Sequence, residues 1–337
     1  MDVKTNSLRA WWLAIRPKTL TGAIAPVLVG GAMAFAVTCS PVISKNISMF
    51  GSLNLHDAFL HTKLLGSIIP FVLCLLFAVL MQMDANLIND YFDFKKGTDR
   101  EDRLGPERAC AQGWITPRAM QWGIAAMTCL SCLVGVLILL WNMQFELLVV
   151  GALCVLFCFL YTTKLSYLGW GDLLVLVFFG IVPVVFTYYV MTGGYWNIPL
   201  VIAGVAMGLA TDNLLIVNNY RDRHQDNVSG KRTLIVRVIA RQQAKLGERE
   251  GLKEGEQISL DIYLWLGVFS TLLSFVALFL FPLTSIRYPL LLIYLILHFR
   301  AFHQLKTLDG KALNKVLGLT ARNIFLFGLL LAVSMFL

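Results

Sequence analysis

Long runs of apolar residues recur along the whole of this 337-residue chain. Runs of about 20 residues, such as 64–83, 117–141 and 198–217, match the length at which an α-helix crosses the hydrocarbon core of a bilayer. Hydrophobic residues make up 58% of the chain and charged residues 14%, which excludes an ordinary soluble domain. Because lipid cannot pair with backbone N–H and C=O groups, spanning segments fold as helices or closed barrels. The pattern predicts an all-α, polytopic membrane protein.

We predict about nine transmembrane helices around a central cavity that opens to the cytoplasm. They belong to a single integral-membrane domain, residues 1–337. No cleavable signal peptide is evident, because residues 1–16 are polar and basic. The predicted spans are about 16–36, 64–83, 117–141, 145–161, 171–191, 196–219, 258–279, 283–299 and 320–337.

The loop charges predict the orientation of these spans. With the N-terminus inside, 25 of the 28 Lys and Arg residues fall on the inner side, and only Lys45, Lys63 and Arg287 fall outside. Cytoplasmic loops carry an excess of Lys and Arg. We therefore expect a multi-pass protein of the plasma or inner membrane with a cytoplasmic N-terminus. Residues 232–256 are expected to form a cytoplasmic loop with an amphipathic helix.

A polar stretch from Asn86 to Arg108 follows the second apolar run. On a helix, Asn86, Asp90 and Asp93 lie at i, i+4 and i+7, so their side chains share nearly one face. Several oxygen ligands on one face suit a hard cation such as Mg²⁺. Ionisable groups at the end of a span are costly and usually functional. The alternative is a solvated, charged loop between two spans.

A second copy of this pattern favours the functional interpretation. Residues 218–222, Asn-Asn-Tyr-Arg-Asp, repeat the form of residues 89–93, Asn-Asp-Tyr-Phe-Asp. Both copies end an apolar run, so residues 86–99 and 218–226 predict an internal repeat. Repeats of this kind place a site at their interface. Chance similarity of two short polar segments is the alternative.

These motifs resemble those of the UbiA superfamily of intramembrane aromatic prenyltransferases. Asn89, Asp90 and Asp93 match the family's first motif, Asn-Asp-x-x-Asp-x-x-x-Asp, and Asp222 and Asp226 match its second, Asp-x-x-x-Asp. The chain departs from the first motif at its third carboxylate. Gly97 stands in that position, and Asp99 follows two residues later.

The variant is similar to the branch of the family that acts on 1,4-dihydroxy-2-naphthoate. That branch shows Arg-x-Gly-Pro-x-Arg, seen here at 103–108, and Asn-Asn-x-Arg-Asp, seen at 218–222. It also shows an Arg-Pro-Lys-Thr segment, seen at 16–19, and Gly-Lys-Arg-Thr-Leu, seen at 230–234. The resemblance implies transfer of a polyprenyl chain to the naphthoate with loss of the ring carboxylate, in menaquinone biosynthesis.

The resemblance also implies residue roles. Carboxylates cannot hold an anionic diphosphate directly, so Mg²⁺ is expected to bridge the two. The expected metal ligands are Asp90, Asp93, Asp222 and Asp226. The expected diphosphate-binding cations are Lys18, Arg103, Arg108 and Lys231. The expected catalytic residues are Asn89, Asp93, Asp222 and Arg221, of which Arg221 could hold the diphosphate or pair with the acceptor carboxylate.

Other interpretations stay open from the residues alone. Another acceptor, such as 4-hydroxybenzoate, would fit the general motifs, and a cation-coupled transporter could also carry paired carboxylates. Transporters usually bind near the midplane, whereas both acidic motifs here lie at one face. Asp84 and Asp212 lie deeper and could serve the acceptor, but we favour interhelical hydrogen bonds. We expect the lipid bilayer as a partner and no nucleic acid.

Overall fold

The computed structural model describes residues 3–38, 53–97, 103–281 and 289–336, and only the backbone over 53–65. These residues form twelve α-helices and no strand. In chain order they are α1 (Leu8–Ile15), α2 (Leu20–Thr38), α3 (Leu53–Lys96), α4 (Pro117–Asn142), α5 (Glu146–Leu160), α6 (Gly171–Leu176), α7 (Val182–Thr192), α8 (Ile198–Val228), α9 (Leu234–Leu246), α10 (Glu248–Leu280), α11 (Pro289–Thr307) and α12 (Leu313–Ser334).

Eight helical segments of the described chain are long and apolar enough to cross a membrane, which confirms the polytopic all-α class. They are Leu8–Thr38, Gly66–Lys96, Pro117–Asn142, Glu146–Leu165, Gly171–Thr192, Ile198–Val228, Glu248–Leu280 and Gly310–Ser334. The predicted span at 283–299 differs: its first six residues lie outside the described ranges, and the rest falls in α11. His298, Arg300 and Lys306 make α11 more polar than the eight.

Residue signals in the sequence set where three of the helices begin. The hydroxyl of Thr116 accepts from the N–H of Ala119 at 3.3 Å and starts α4. The side chain of Asn197 accepts from the N–H of Leu200 at 3.1 Å and starts α8. Thr233 caps α9 in the same way. Each cap satisfies an N–H group that the first helical turn leaves unpaired.

The segment 232–256, predicted as a loop with an amphipathic helix, contains that helix, α9, and also the start of α10, which the sequence did not predict. The amphipathic α9 ends at Leu246 and is followed by Gly247, whose φ of 85° is one that glycine adopts readily. The next helix, α10, begins at Glu248 and folds back on α9. A Cβ at Gly255 would lie 2.7 Å from the Cα of Ile239, so the glycine permits this close packing. The loop therefore shrinks to one residue.

The spans pack in sequence, and α12 returns to α2 to close the arrangement. Small residues allow close contact between helices, as is usual in membranes. A Cβ at Gly204 on α8 would lie 2.8 Å from the Cα of Ile181. Ile181 belongs to Val177–Ile181, a π-helical turn between α6 and α7. The largest buried apolar cluster joins α2, α7, α8, α10, α11 and α12.

Candidate active site

A cavity of about 420 Å³ lies among the first six spans. Its walls come from α2 to α8, with Leu317 as the contribution of α12. Most of the lining is apolar, which suits a hydrocarbon chain. Six aromatic side chains line it: Phe77, Phe157, Tyr161, Phe178, Phe179 and Phe186. The polar lining residues include Arg16, Asn89, Arg103, Arg108 and Asn218, which come from the two acidic motifs and their neighbouring segments.

Asp93, in the last turn of α3, is surrounded by cationic side chains. Its side chain is 15% exposed, and Arg108 Nη2 donates to its Oδ2 at 3.1 Å. Arg16, Arg103 and Lys231 lie within electrostatic reach of it, as does Lys96. These cations come from four separate parts of the chain. These cations offset part of the cost of burying the Asp93 carboxylate, and they can also attract a second anion.

Asp90 has different surroundings from Asp93, although both lie on α3. Its Oδ2 accepts from the N–H of Ala109 and its Oδ1 from the N–H of Cys110, each at 2.9 Å. The side chain is only 1% exposed, and Arg16 Nη2 lies 3.7 Å from Oδ2. Both oxygens therefore anchor the loop that follows α3. This geometry favours a structural role for Asp90, which the sequence predicted as a metal ligand.

Asn89 lies one residue earlier and lines the cavity. Its Oδ1 accepts from the hydroxyl of Thr162 at 2.7 Å. Thr162 belongs to a second π-helical turn, Tyr161–Leu165, after α5. Lys96 donates to the carbonyl of Thr163 in the same turn at 2.8 Å. Such turns are rare and frequent at functional sites, and this one holds α5 against the first acidic motif.

The second acidic motif lies in the last turns of α8. Lys231 Nζ lies 3.9 Å from Oδ1 of Asp226. Asp226 also interacts electrostatically with Asp222 and with Asp93 of the first motif. The structure therefore brings the two motifs together at one end of the bundle, as the repeat predicted. Asp226 is therefore the carboxylate that lies within electrostatic reach of both Asp222 and Asp93.

Arg221 is committed to its neighbours. Its Nε and Nη2 donate to both oxygens of Asp222 at 2.7 and 2.6 Å. Its Nη2 also donates to Asn218 at 2.6 Å, and its Nη1 donates to Asn314 at 2.8 Å. With 1% of its side chain exposed, the guanidinium is buried among these partners. These contacts favour a role in holding Asp222 for Arg221, which the sequence predicted as a catalytic residue.

Arg223, two residues later, fixes the end of α8. Its Nε donates to Glu256 of α10 at 2.8 Å and its Nη2 to Asp309 at 3.3 Å. The backbone N–H of Gly310 and the Arg223 guanidinium hold the pKa of Asp309 below its ordinary value. These ion pairs join α8 to α10 and to the residues just before α12. They therefore fix the position of the helix end that carries the second motif.

The carboxylates of the two motifs could bind Mg²⁺ with one or two ligands for each ion. Within the described ranges, no group of three or more His, Cys, Asp and Glu side chains is arranged to hold one ion. Mg²⁺ is usually bound through one or two carboxylates, with substrate phosphates and water completing the octahedron. Asp93 can offer one such ligand, and Asp222 with Asp226 can offer the other. Asp99 lies outside the described residues.

Two of the predicted diphosphate-binding cations lie on the cavity wall, and so does Arg16, which the sequence did not predict. Arg103 and Arg108 line the cavity, whereas Lys18 is exposed and is not part of its wall. Arg16 lines it instead. Its φ of 51° and ψ of 72° lie in the left-handed region, which is uncommon for a residue other than glycine. Strain of this kind clusters at functional sites, but nothing in the sequence distinguished Arg16 from Lys18.

The deeper carboxylates behave differently from each other. Thr128 donates to Oδ2 of Asp84 at 2.6 Å, which joins α3 to α4 and agrees with the structural role favoured from the sequence. Asp212 is 6% exposed and interacts electrostatically with Asp172, at the start of α6. Tyr161, on the cavity wall, interacts electrostatically with Asp172 and Asp212.

Comparison with known proteins gives a consistent result. The model of the UbiA prenyltransferase family matches residues 49–336. The 1,4-dihydroxy-2-naphthoate octaprenyltransferase of Haemophilus influenzae is 33% identical over 245 residues, which cover 70% of this chain and 71% of the relative. The Escherichia coli protein of that name is 32% identical over 248 residues, with 70% and 71% covered.

Solved structures agree on the fold. The structure of a UbiA homologue from Archaeoglobus fulgidus bound to DMAPP and Mg²⁺ superposes with a TM-score of 0.55 at 16% identity, covering 96% of this chain and 99% of that one. The family model matches well over half of the chain, in both acidic motifs and in the spans that carry them. The chain therefore belongs to the UbiA prenyltransferase family.

Proposed function

We propose that the protein transfers a polyprenyl chain from a polyprenyl diphosphate to 1,4-dihydroxy-2-naphthoate, with Mg²⁺ as the cofactor. One observation supports this proposal above all: an apolar cavity lined by aromatic side chains opens onto a charged region built from both acidic motifs. A prenyl diphosphate has the same two-part character, a hydrocarbon tail and an anionic head. The curated relatives named above support the naphthoate as acceptor.

The residues divide the chemistry between them. Asp93, Asp222 and Asp226 would hold Mg²⁺, which neutralises the diphosphate and makes it a better leaving group. Arg103 and Arg108 bind the remaining charge on the diphosphate oxygens. They also carry the charge that develops on the leaving group as the bond between carbon and oxygen breaks.

The aromatic lining acts on the other product of that cleavage. An allylic cation is stabilised by the faces of aromatic rings. Tyr161 lies on the wall within electrostatic reach of Asp93 and Asp226, and Phe178 lies on the same wall. The apolar walls keep water away from the cation. The electron-rich ring of the naphthoate then forms the new bond to carbon, and its carboxylate leaves as carbon dioxide.

The decisive experiment offers the purified protein one prenyl diphosphate with either 1,4-dihydroxy-2-naphthoate or 4-hydroxybenzoate. We expect prenylated product and carbon dioxide from the naphthoate only. Preferential prenylation of 4-hydroxybenzoate would overturn the acceptor assignment. Transport of a cation without release of diphosphate would overturn the transferase assignment as a whole.

We further propose that the N-terminus is cytoplasmic, as the distribution of Lys and Arg indicates. In that orientation the charged end of the cavity faces the compartment that supplies diphosphates and Mg²⁺. The surplus of positive charge on that side also attracts anionic substrates.

A further inference from the structure

The loop after the first acidic motif is held near its start and in its middle by side chains from other parts of the fold. This loop, residues 103–116, carries Arg103 and Arg108 to the cavity wall. Asp90 holds its middle through two backbone N–H groups. Near its start, the Nδ2 of Asn314 donates to the carbonyl of Leu104 at 2.8 Å. Asn314 lies at the beginning of α12, 210 residues away.

The same amide also contacts the second motif. The Oδ1 of Asn314 accepts from Nη1 of Arg221 at 2.8 Å, and Arg221 in turn grips both oxygens of Asp222. One side chain therefore connects a segment that supplies diphosphate-binding cations with a segment that supplies metal-binding carboxylates. An amide suits this position because it offers a donor and an acceptor on adjacent atoms.

The packing between loop and guanidinium is tight at this point. A Cβ at Gly105 would lie 2.8 Å from Nη2 of Arg221. The backbone of the loop thus lies directly against the arginine that Asn314 bonds. Arg103, two residues before Gly105, has its Nε donating to the carbonyl of Pro106 at 3.1 Å, so its direction follows the loop. A shift of the loop would move Arg103 relative to Asp93 and Asp222.

We propose that Asn314 is a positioning residue for the diphosphate site. It fixes the distance between the cations of the 103–116 loop and the carboxylates of α8, so that both groups reach the same diphosphate. This inference rests on the proposed function, but it concerns the diphosphate and not the acceptor. It also gives α12, which contributes only Leu317 to the cavity wall, a defined role in the site.

The test compares Asn314→Asp with Asn323→Asp in the full-length protein in detergent. Asn314→Asp keeps an acceptor for Arg221 and loses the donor to the carbonyls of Leu104 and, within its own segment, Lys311. Asn323, on the same helix, is the matched control, because its Nδ2 donates to the carbonyl of Leu297 at 3.1 Å, in α11. The measurements are the KM for each substrate, the Kd for inorganic diphosphate with Mg²⁺ and the melting temperature.

For Asn314→Asp we expect the KM for prenyl diphosphate and the Kd for diphosphate to rise about tenfold, the scale of one lost hydrogen bond near charged groups. The KM for the acceptor should stay unchanged. Asn323→Asp should lower the melting temperature without changing either value. The double variant Arg103→Ala/Asn314→Asp should be non-additive in diphosphate affinity, since both changes act through Arg103.

Equal diphosphate affinity in the wild type and Asn314→Asp would overturn the proposal, as would strict additivity with Arg103→Ala. If Asn314→Asp does not fold, Gly105→Ala pushes the loop away from Arg221, the residue that Asn314 bonds. Gly318→Ala is its control, and unchanged diphosphate affinity in Gly105→Ala overturns the proposal in that case. Because diphosphate binding is measured without an acceptor, a failed naphthoate assay leaves this test intact.

Discussion

At the scale of single residues, Asp90 and Asp93 lie three positions apart on α3 and have different partners. Asp93 faces the cations that gather at the cavity, and Asp90 accepts two backbone N–H groups from the next loop. A buried carboxylate that pairs two N–H groups is expensive to alter, because the N–H groups lose their partners. At Asp93, by contrast, the amide oxygen of an asparagine could still accept from Arg108.

Asp93→Asn and Asp222→Asn should each lower turnover by about 100-fold or more while the protein stays folded, because each removes a charge from the Mg²⁺ set. Excess EDTA should abolish activity, and added Mg²⁺ should restore it. Glu107→Gln, an exposed carboxylate in the adjoining loop, is the control and should leave turnover unchanged. Full activity in EDTA would refute the metal role.

Asp90→Asn should lower stability more than Asp93→Asn does. An asparagine offers one acceptor where Asp90 offers two, so one buried N–H loses its partner at a cost of about 1–3 kcal/mol. Melting temperatures of the two variants in the same detergent check this expectation. An Asp90→Asn variant with unchanged melting temperature and no turnover would restore Asp90 to the metal site.

At the scale of helices, glycines decide how closely the spans approach. Gly204 of α8 faces the π-helical turn that brings Phe178 and Phe179 to the cavity wall. The backbone of Ile181 leaves no room there for a methyl group. The cavity shape therefore depends on small residues that lie outside the acidic motifs.

Gly204→Ala should destabilise the protein by about 1–3 kcal/mol, the range for an overpacked core site. The matched variant is Gly318→Ala on α12, where a Cβ would meet no atom within 4 Å. Alanine has the higher helix propensity, so Gly318→Ala should be neutral or stabilising. Thermal unfolding in detergent measures both. Equal melting temperatures would show that α8 can move to accept the methyl group.

At the scale of the whole molecule, orientation decides which compartment supplies the substrates. Lys253, in the first turns of α10, is exposed, and Tyr195 is exposed in the connection between α7 and α8. These two positions lie on opposite sides of the membrane in the proposed topology.

In a background without the seven native cysteines, Lys253→Cys should react only with thiol reagents that enter the cytoplasm. Tyr195→Cys, as the reciprocal control, should react with impermeant reagents in intact cells. Both expectations follow from the excess of Lys and Arg on the predicted inner side. Labelling of Lys253→Cys from outside would reverse the orientation.

The sequence by itself determined the all-α membrane class and the approximate spans, because backbone groups in lipid must pair locally and apolar runs of about 20 residues satisfy that demand as helices. It also located both acidic motifs, since helical spacing and repetition are local properties. The sequence did not predict the hairpin of α9 and α10. The mixed charges of 232–256 indicated a loop, and the close packing at Gly255 leaves no local pattern.

Only the tertiary structure decided what each motif residue contacts. The assignment of Asp90 to the loop, of Arg16 instead of Lys18 to the cavity and of Arg221 to Asp222 depends on neighbours from distant segments. Asn314 bonds a carbonyl 210 residues away and carries no local signal. Side-chain partners of this kind are fixed by how spans pack, and a linear pattern of residues does not contain that information.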